Sequence, residues 1–323
     1  MSAEFTDSWS AERSLAMICL GVCVLWRLVG APTRCELTIS SRLIEIPALV
    51  VTSKIKSVVF SPAVSAGNLD IRFSDVPTME QMAMMFKWLQ PGGRHKPEEC
   101  LSRHKVAVLI PYRNRQEHLN ILLYVLHPML QRQLLDYGIF IVEQSNGTLF
   151  NRGLLFNIGY VEALKVDDYS CFVFHDVDLV PENDKILYGC IDSPIHLSAA
   201  IDIFNYKLPD TKLFGGVSAM LRTHFEAVNG FSNLYYGWGG EDDDIFYRMV
   251  RREFRLKRFP LNTSRYKMMK HMKNVGNPKR HELLREGLAR MEVDGINSVD
   301  TYYKRVDFSE MPLYTKIVVD VLE

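Results

Sequence analysis

Residues 236–244 read Tyr-Gly-Trp-Gly-Gly-Glu-Asp-Asp-Asp. Three glycines around one tryptophan predict a mobile loop carrying an aromatic plate, which suits stacking on a sugar face. Four carboxylates follow, Glu241, Asp242, Asp243 and Asp244, where a helix over 245–252 is expected to begin. Acidic residues at a helix N-terminus can simply complement the helix dipole. That accounts for one or two of them and leaves the Gly-Trp-Gly-Gly approach unexplained. A carboxylate in this position can take a proton from a sugar hydroxyl as a general base.

A second acidic pair, Asp176-Val177-Asp178, follows the apolar run Cys171 to Phe174. In an extended segment alternate side chains share a face, so both carboxylates are expected to point the same way. Two carboxylates on one face repel unless a cation or donors compensate. A hard divalent metal carried by a nucleoside diphosphate would satisfy them. A solvated turn is the other reading, since Asp-x-Asp is a short and common pattern. Pro111-Tyr112-Arg113-Asn114-Arg115 offers two guanidinium forks for phosphate and a ring that can pack on a base. Phe150-Asn151-Arg152 opens another expected helix, where backbone N–H groups and an arginine suit anions. Arg113, Arg115 and Arg152 can equally be ordinary surface charge. Met268-Met269-Lys270-His271 adds an imidazole beside a thioether, although a lone histidine is more often structural.

The elements around these residues follow from hydrophobic periodicity. Lys105 to Pro111, Gly138 to Gln144 and Cys171 to Phe174 read as buried strands. Gln116 to Leu135, with a stripe at Leu119, Leu122, Leu123, Leu126 and Leu130, and Phe150 to Leu164 read as helices. Strand, helix, strand, helix, strand is the rhythm of a doubly wound α/β sheet, which binds ligands beyond the carboxyl ends of its strands. Pro111 to Arg115 and Asp176 to Asp178 both fall there. No Gly-x-Gly-x-x-Gly and no Walker loop occur, which excludes ordinary dinucleotide and P-loop sites.

The 323 residues suffice for one large domain or two ordinary ones. Apolar residues at 47% and charged residues at 24% exclude wholesale disorder and a polytopic membrane protein. The 38 basic residues cancel the 38 acidic ones, which argues against a protein that grips nucleic acid mainly through phosphates. Residues 14–26 form an uncharged run that Arg27 interrupts and residues 28–31 resume. A spanning helix needs about 20 mostly apolar residues, so this segment spans only if Arg27 snorkels toward a headgroup. A buried helix and a removed signal peptide are the alternatives. The expected organisation is a cytoplasmic tail over 1–13, a signal anchor over 14–31, a stem over 32–99 and a catalytic domain over 100–323. The Pro91 to Glu99 stretch is read as the linker by its Pro and Gly content.

The chain resembles the animal β-1,4-galactosyltransferase family, including its invertebrate β-1,4-N-acetylgalactosaminyltransferases. The segments that carry the resemblance are VAVLIPYRNRQEHL (Val106 to Leu119), FNRGLLFNIGY (Phe150 to Tyr160), CFVFHDVDLVPEND (Cys171 to Asp184), LFGGVSAM (Leu213 to Met220), NGFSNLYYGWGGEDDDIFYR (Asn229 to Arg248) and PLYTKIVVD (Pro312 to Asp320). They span roughly two thirds of the chain, from about Cys100 onward.

The resemblance implies a GT-A fold, a manganese ion and an inverting transfer from a UDP-sugar to the 4-hydroxyl of a terminal acceptor sugar. It implies donor contacts from Pro111, Tyr112, Arg113, Asn114, Arg115, Phe150, Asn151, Arg152, Val177, Asp178, Leu213 and Trp238. Asp178, Met268 and His271 are the implied metal ligands. Trp238 is the implied loop aromatic that closes over donor and acceptor. Gly240, Glu241, Asp242, Asp243 and Arg280 are the implied acceptor site, with Asp242 as catalytic base and Glu241 beside it. The segment between His271 and Asn277-Pro278 is shorter than in the vertebrate members, which bears on Arg280.

Members that use galactose carry a tyrosine where this chain has Leu213. A smaller aliphatic side chain leaves room for an N-acetyl group, so the expected donor is UDP-GalNAc, with UDP-Gal as the alternative. A packing difference without effect on donor choice is the plainer reading of Leu213. His175 before Asp-Val-Asp is similar to the branch that transfers galactose to xylose, and Met268 argues against that branch. The expected acceptor is then a terminal β-GlcNAc on glycoprotein or glycolipid. A fold that has lost turnover and only binds glycans is the alternative of another class, and the presence of Asp178, His271, Asp242 and Trp238 argues against it.

Cys171 and Cys190 match a disulfide of the family, and Cys100 matches half of a second, with Cys35 as its partner or Cys100 free as the two readings. Cys19 and Cys23 are expected to be unpaired in the apolar run. Asn146-Gly-Thr148 and Asn262-Thr-Ser264 are glycosylation sequons, usable only in a lumen. The resulting expectation is a single-pass type II Golgi membrane protein with a luminal catalytic domain, with or without a membrane partner protein.

Overall fold

The computed structural model describes residues 67–322 apart from 70, 72, 99, 100, 146 and 273. Within the first 66 residues it describes only the backbone pairing of Met17–Cys19 with Val22–Val24. Apart from that backbone pairing, which includes Cys19 and Cys23, the expected tail, anchor and first half of the stem, with Cys35, lie outside the described residues. Cys100 and Asn146 also lie outside the described residues. Among the described residues no helix is long and apolar enough to cross a membrane.

Three strands form the centre of the domain: β1 (Lys105–Tyr112), β2 (Asp136–Gln144) and β3 (Cys171–His175). Their side chains alternate between two separate cores. Val106, Val108, Ile110, Ile139, Ile141, Cys171 and Val173 enter one core, while Ala107, Leu109, Phe140, Val142, Phe172 and Phe174 enter the other. A strand buried on both faces must be apolar at consecutive positions, which is why these runs are continuous rather than alternating. Helix α2 (Gln116–Arg132) covers the first face through Leu119, Leu122, Leu123, Leu126 and Leu130. Helix α3 (Arg152–Val166) covers the second through Leu154, Leu155, Phe156 and Ile158. The sheet is thus a layer between helices, as a doubly wound pattern requires.

Six of the remaining strands are short, β4 (Leu179–Pro181), β5 (Ile195–His196), β6 (Ala200–Ile201), β7 (Val217–Leu221), β8 (Lys257–Arg258) and β9 (Arg265–Met268), and two are longer, β10 (Tyr303–Glu310) and β11 (Thr315–Val321). The main sheet has the order β8-β5-β7-β3-β1-β2-β11-β10. The β3-β1-β2-β11 block is parallel, and β7 runs antiparallel to both β3 and β5. A second sheet, β4-β9-β6, stands beside the loop after β3. The disulfide Cys171–Cys190 joins the start of β3 to the segment beyond that loop, as the resemblance implied.

The packed body begins upstream of the expected boundary at Cys100. Helix α1 (Met79–Met85) starts with a capping box between Thr78 and Gln81, and Met82 and Phe86 enter the core under α2. The Pro-Gly-Gly stretch is no free linker. Gly92 donates to the Met311 carbonyl at 2.9 Å, and a side chain at Gly93 would overlap the Leu313 carbonyl. Glycine is required there because two backbones touch.

Helix α2 ends at Arg132, short of the expected Leu135, because Leu134 adopts a left-handed backbone (φ 52°). Helix α3 starts at Arg152 because the Asn151 side chain caps it, accepting from the Leu154 N–H at 3.0 Å.

Candidate active site

The loop after β3 does not stay extended. Residues 176–178 turn, and the two carboxylates separate. Asp178 meets His271, with Nε2 to Oδ2 at 2.7 Å. Asp176 accepts from Arg152 Nε at 2.5 Å. The expectation that both share one face is therefore corrected: a turn breaks the period-2 alternation.

Strand β9 brings the other expected ligands to Asp178. Met268 is the register partner of Leu179, the residue after Asp178, and the Met269 N–H donates to the Asp178 carbonyl at 2.8 Å. His271 follows directly. Its Nδ1 lies 2.7 Å from the Met272 carbonyl. The tautomer that donates from Nδ1 to this carbonyl leaves Nε2, on the Asp178 side, able to bind a metal. Asp178, His271 and Met268 thus offer a carboxylate oxygen, an imidazole nitrogen and a soft thioether. By residue type these three could hold one divalent cation, and the β4–β9 register brings their positions together.

A basic cleft lies beside these residues. A cavity of about 620 Å³ is lined by Arg113, Asn114, Arg115, His118, Phe150 and Lys270, among others. Arg113 donates to the Thr148 carbonyl at 2.9 Å and lies 5.2 Å from the Phe150 ring centroid. Arg115 Nη2 lies 3.1 Å from His271 Nδ1. Asn114 stands exposed in a left-handed turn (φ 52°) that swings Arg113 and Arg115 out of β1. Lys270 and His118 are cleft residues that motif reading passed over.

Several expected donor residues line the cleft less than they shape it. Pro111 and Tyr112 are buried, and Tyr112 packs in the core under α2. Val177 packs against the same core. Asn151 is fully buried and donates to the Asn233 carbonyl at 2.7 Å while it caps α3. His175 is a structural histidine, held between the Asp176 carbonyl (2.8 Å) and the Tyr188 hydroxyl (2.9 Å). Burial pushes its imidazole down to about 4, so it stays neutral.

Arg152 is engaged by protein carboxylates rather than held free for an anion. It bridges Asp176 and Glu241, the latter at 3.4 Å, and stacks over Phe156. Burial alone would lower its guanidinium; Asp176 and Glu241 override that and raise it. Burial raises the Asp176 carboxyl against the pull of Arg152, with the charges of Asp178 and Asp242 adding to the rise. Burial and the neighbouring Asp242 likewise raise Glu241, whose Oε2 is buried without a partner. One cation therefore holds together the carboxylates of the cleft side and the helix side.

Helix α4 (Glu241–Arg251) distributes its four leading carboxylates around its axis. Glu241 turns inward to Arg152. Asp242 is half-buried and lies over Gly215, where any side chain would overlap its Oδ2. Asp243 is exposed. Asp244 is buried, accepting from Arg248 Nε at 2.6 Å and from the Tyr235 hydroxyl at 3.0 Å. Arg248 is fully buried and also donates to the Asp294 carbonyl at 2.7 Å. Arg248→Met is expected to cost about 3–5 kcal/mol, because it strands buried carboxylates. Chemical denaturation measures it, and a loss under ~1 kcal/mol would overturn the account.

The helix starts where it does because Gly240 takes a left-handed backbone (φ 103°) against the Tyr235 ring, 2.6 Å from where a Cβ would sit. Trp238 is 63% exposed, with Arg280 5.7 Å from its ring centroid. Its N–H donates to the Val275 carbonyl at 2.8 Å and its carbonyl accepts from Asn277 at 2.9 Å. Arg280, the first residue of helix α5 (Arg280–Arg290), therefore does stand beside the tryptophan loop.

The fold is that of a GT-A type glycosyltransferase, a mixed sheet with a carboxylate-bearing turn at the edge of a basic cleft. Residues 60–191 match the profile of the N-terminal region of glycosyl transferase group 7, and residues 195–272 match one described as the N-terminal domain of galactosyltransferase. Mouse β-1,4-galactosyltransferase 1 is 47% identical over 258 residues, covering 79% of this chain and 64% of that protein. β-1,4-Galactosyltransferase 4 of Cricetulus griseus is 48% identical over 232 residues, covering 71% of this chain and 67% of that protein. A solved structure of a mutant Drosophila β-1,4-galactosyltransferase 7 with manganese, UDP-Gal and xylobiose superposes with a TM-score of 0.56 at 28% identity, over 68% of this chain and 94% of that one. The chain belongs to the β-1,4-galactosyltransferase family. It spans a little under two thirds of the length of mouse β-1,4-galactosyltransferase 1.

Proposed function

We propose that the chain transfers GalNAc from UDP-GalNAc in β-1,4 linkage, with inversion, to the 4-hydroxyl of a terminal β-GlcNAc on glycolipid or glycoprotein, with manganese as cofactor. One juxtaposition carries the reading. Asp242 lies over Gly215, two residues after Leu213, while the same glycine segment leads through Gly216 to the Asp176 N–H at 3.1 Å and so to the Asp178 turn.

Asp242 takes the proton of the acceptor hydroxyl. The freed oxygen forms a bond to the anomeric carbon of the donor sugar as the bond from that carbon to the UDP oxygen breaks. The electron pair leaves with the diphosphate. Arg113, Arg115 and Lys270 offset its charge from the cleft side. Asp178, His271 and Met268 would hold the manganese, which supplies Lewis acidity at the diphosphate. Glu241 Oε2, buried without a partner, is available to an acceptor hydroxyl or amide. Trp238 and Arg280 form the outer wall against the acceptor ring.

UDP-Gal is the second reading of the donor. Its support is the relatives named galactosyltransferases and the Drosophila structure that holds UDP-Gal. Release of UDP with GlcNAc-terminated acceptor and manganese decides among the readings. Faster turnover of UDP-GalNAc supports the proposal, faster turnover of UDP-Gal replaces the donor, and no turnover leaves a glycan-binding protein. Leu213→Tyr is expected to shift the GalNAc/Gal rate ratio toward galactose by about tenfold or more, because a phenol crowds the N-acetyl group. An unchanged ratio removes Leu213 as the determinant.

A type II Golgi membrane location with a luminal catalytic domain belongs to the same reading. The Cys171–Cys190 disulfide, which forms in oxidising compartments, and the exposed Asn262 of the second sequon support it. Digestion of the domain by protease added to intact microsomes would count against that orientation.

A further inference from the structure

The strip from Thr211 to Gly215 joins an exposed turn to β7 and carries both Leu213 and the glycine under Asp242. Three of its carbonyls, at positions 211, 213 and 215, are gathered by one pair of side chains. Arg258 Nη2 donates to the Thr211 and Leu213 carbonyls, both at 2.8 Å. Arg258 Nε donates to His196 Nδ1 at 3.1 Å. Because Nδ1 accepts, the proton of this neutral, fully buried imidazole is on Nε2, which donates to the Gly215 carbonyl at 3.0 Å.

The polarity of this chain runs one way, from guanidinium through imidazole to carbonyl. Residues 210–213 close a turn, with the Leu213 N–H donating to the Asp210 carbonyl at 3.2 Å, and the guanidinium reaches carbonyls at both residues 211 and 213 of it. Holding the carbonyls of residues 211, 213 and 215 fixes the backbone from which the Leu213 side chain projects. The two side chains reach this position because Arg258 in β8 and His196 in β5 are register partners at the end of the main sheet. Beyond Gly215, the Gly216 carbonyl accepts from Asp176 N–H at 3.1 Å and from Arg152 at 3.4 Å. The strip is therefore held at one end by the Arg258–His196 brace and at the other by the carboxylate cluster around Arg152.

We infer that Arg258, acting through His196 and the carbonyls of residues 211, 213 and 215, is a positioning residue that sets how the donor sugar, but not the nucleotide, is held. Neither residue lines the basic cleft that receives the diphosphate. The inference rests on the reading of Leu213 as the donor-sugar contact. Arg258→Met keeps the length of the side chain and removes every donor. Arg258→Lys keeps the charge and loses the planar fork that spans two carbonyls and an imidazole.

The experiment is calorimetric titration of the full chain with UDP, UDP-GalNAc and UDP-Gal in the presence of manganese. For Arg258→Met the affinity for the better-bound sugar nucleotide is expected to fall about tenfold while that for UDP stays within about twofold, with Arg258→Lys in between. Equal affinities for all three ligands in wild type and variants overturn the inference. So does a parallel loss of UDP and UDP-sugar binding in both variants, which would mark the brace as general scaffolding. Failure of the functional reading shows separately, in the wild type, as no binding of any of the three nucleotides.

Discussion

Asp242→Asn is expected to lower turnover by about 10²–10⁴ while leaving UDP binding intact. The carboxylate is half-buried, its one local hydrogen bond is to the Asp243 N–H at 3.1 Å, and an amide of the same shape can keep its seat over Gly215. The change therefore removes basicity with little change in structure. Steady-state UDP release with saturating acceptor measures the loss, and calorimetry with UDP provides the control. Normal turnover in this variant would show that another group takes the proton. Glu241 is the first candidate for that role, since its carboxyl lies beside Asp242 and has an unpartnered oxygen.

Chelation of divalent cations is expected to abolish transfer, and manganese to restore it. Substitution of the three ligands should grade the effect. Asp178→Asn should weaken donor binding about 100-fold or more, since it removes the anionic oxygen that a hard cation prefers and several kcal/mol of charge stabilisation with it. His271→Ala should follow. Met268→Ala should do least, because a thioether is a poor donor for a hard ion. Manganese titrations monitored by electron paramagnetic resonance read each affinity without relying on turnover. Full activity in chelator, or three variants with unaltered manganese affinity, would remove this triad from the mechanism.

Much of this arrangement was legible in the sequence where burial is two-sided. The runs of β1, β2 and β3 are continuous because both faces meet a core, and the leucine stripe of α2 has one partner surface. The order of the sheet was not legible. Strands β5, β6 and β8 have two residues each, too few to show any period, and the antiparallel insertion of β7 between β3 and β5 depends on pairing distant in sequence.

The site was read with the same asymmetry. Asp178, His271, Asp242 and Trp238 were singled out by residue type and by the resemblance, and their roles stand as proposed. Whether Asp176 faces a ligand or Arg152 depends on a turn that alternation cannot foresee. Likewise, the string of four acidic residues splits into separate environments once helical rotation is applied, and an arginine four residues after Asp244 was a signal that it is structural. Gly215 was quoted only as part of a motif. Its role appears when the backbone of one element is seen to touch a side chain from another.

The pairing between the tryptophan loop and residues 275–277 has an energetic consequence. Trp238 makes strand-like hydrogen bonds to a segment that begins four residues after His271. Any ligand that favours one arrangement of that segment shifts the tryptophan loop by the same free energy, and the reverse holds equally. A cation at Asp178 and His271 and a sugar under Trp238 touch different residues, yet each would alter the affinity of the other by one shared factor. Saturation curves for the acceptor should then move with manganese concentration, and those for manganese with acceptor, by equal ratios.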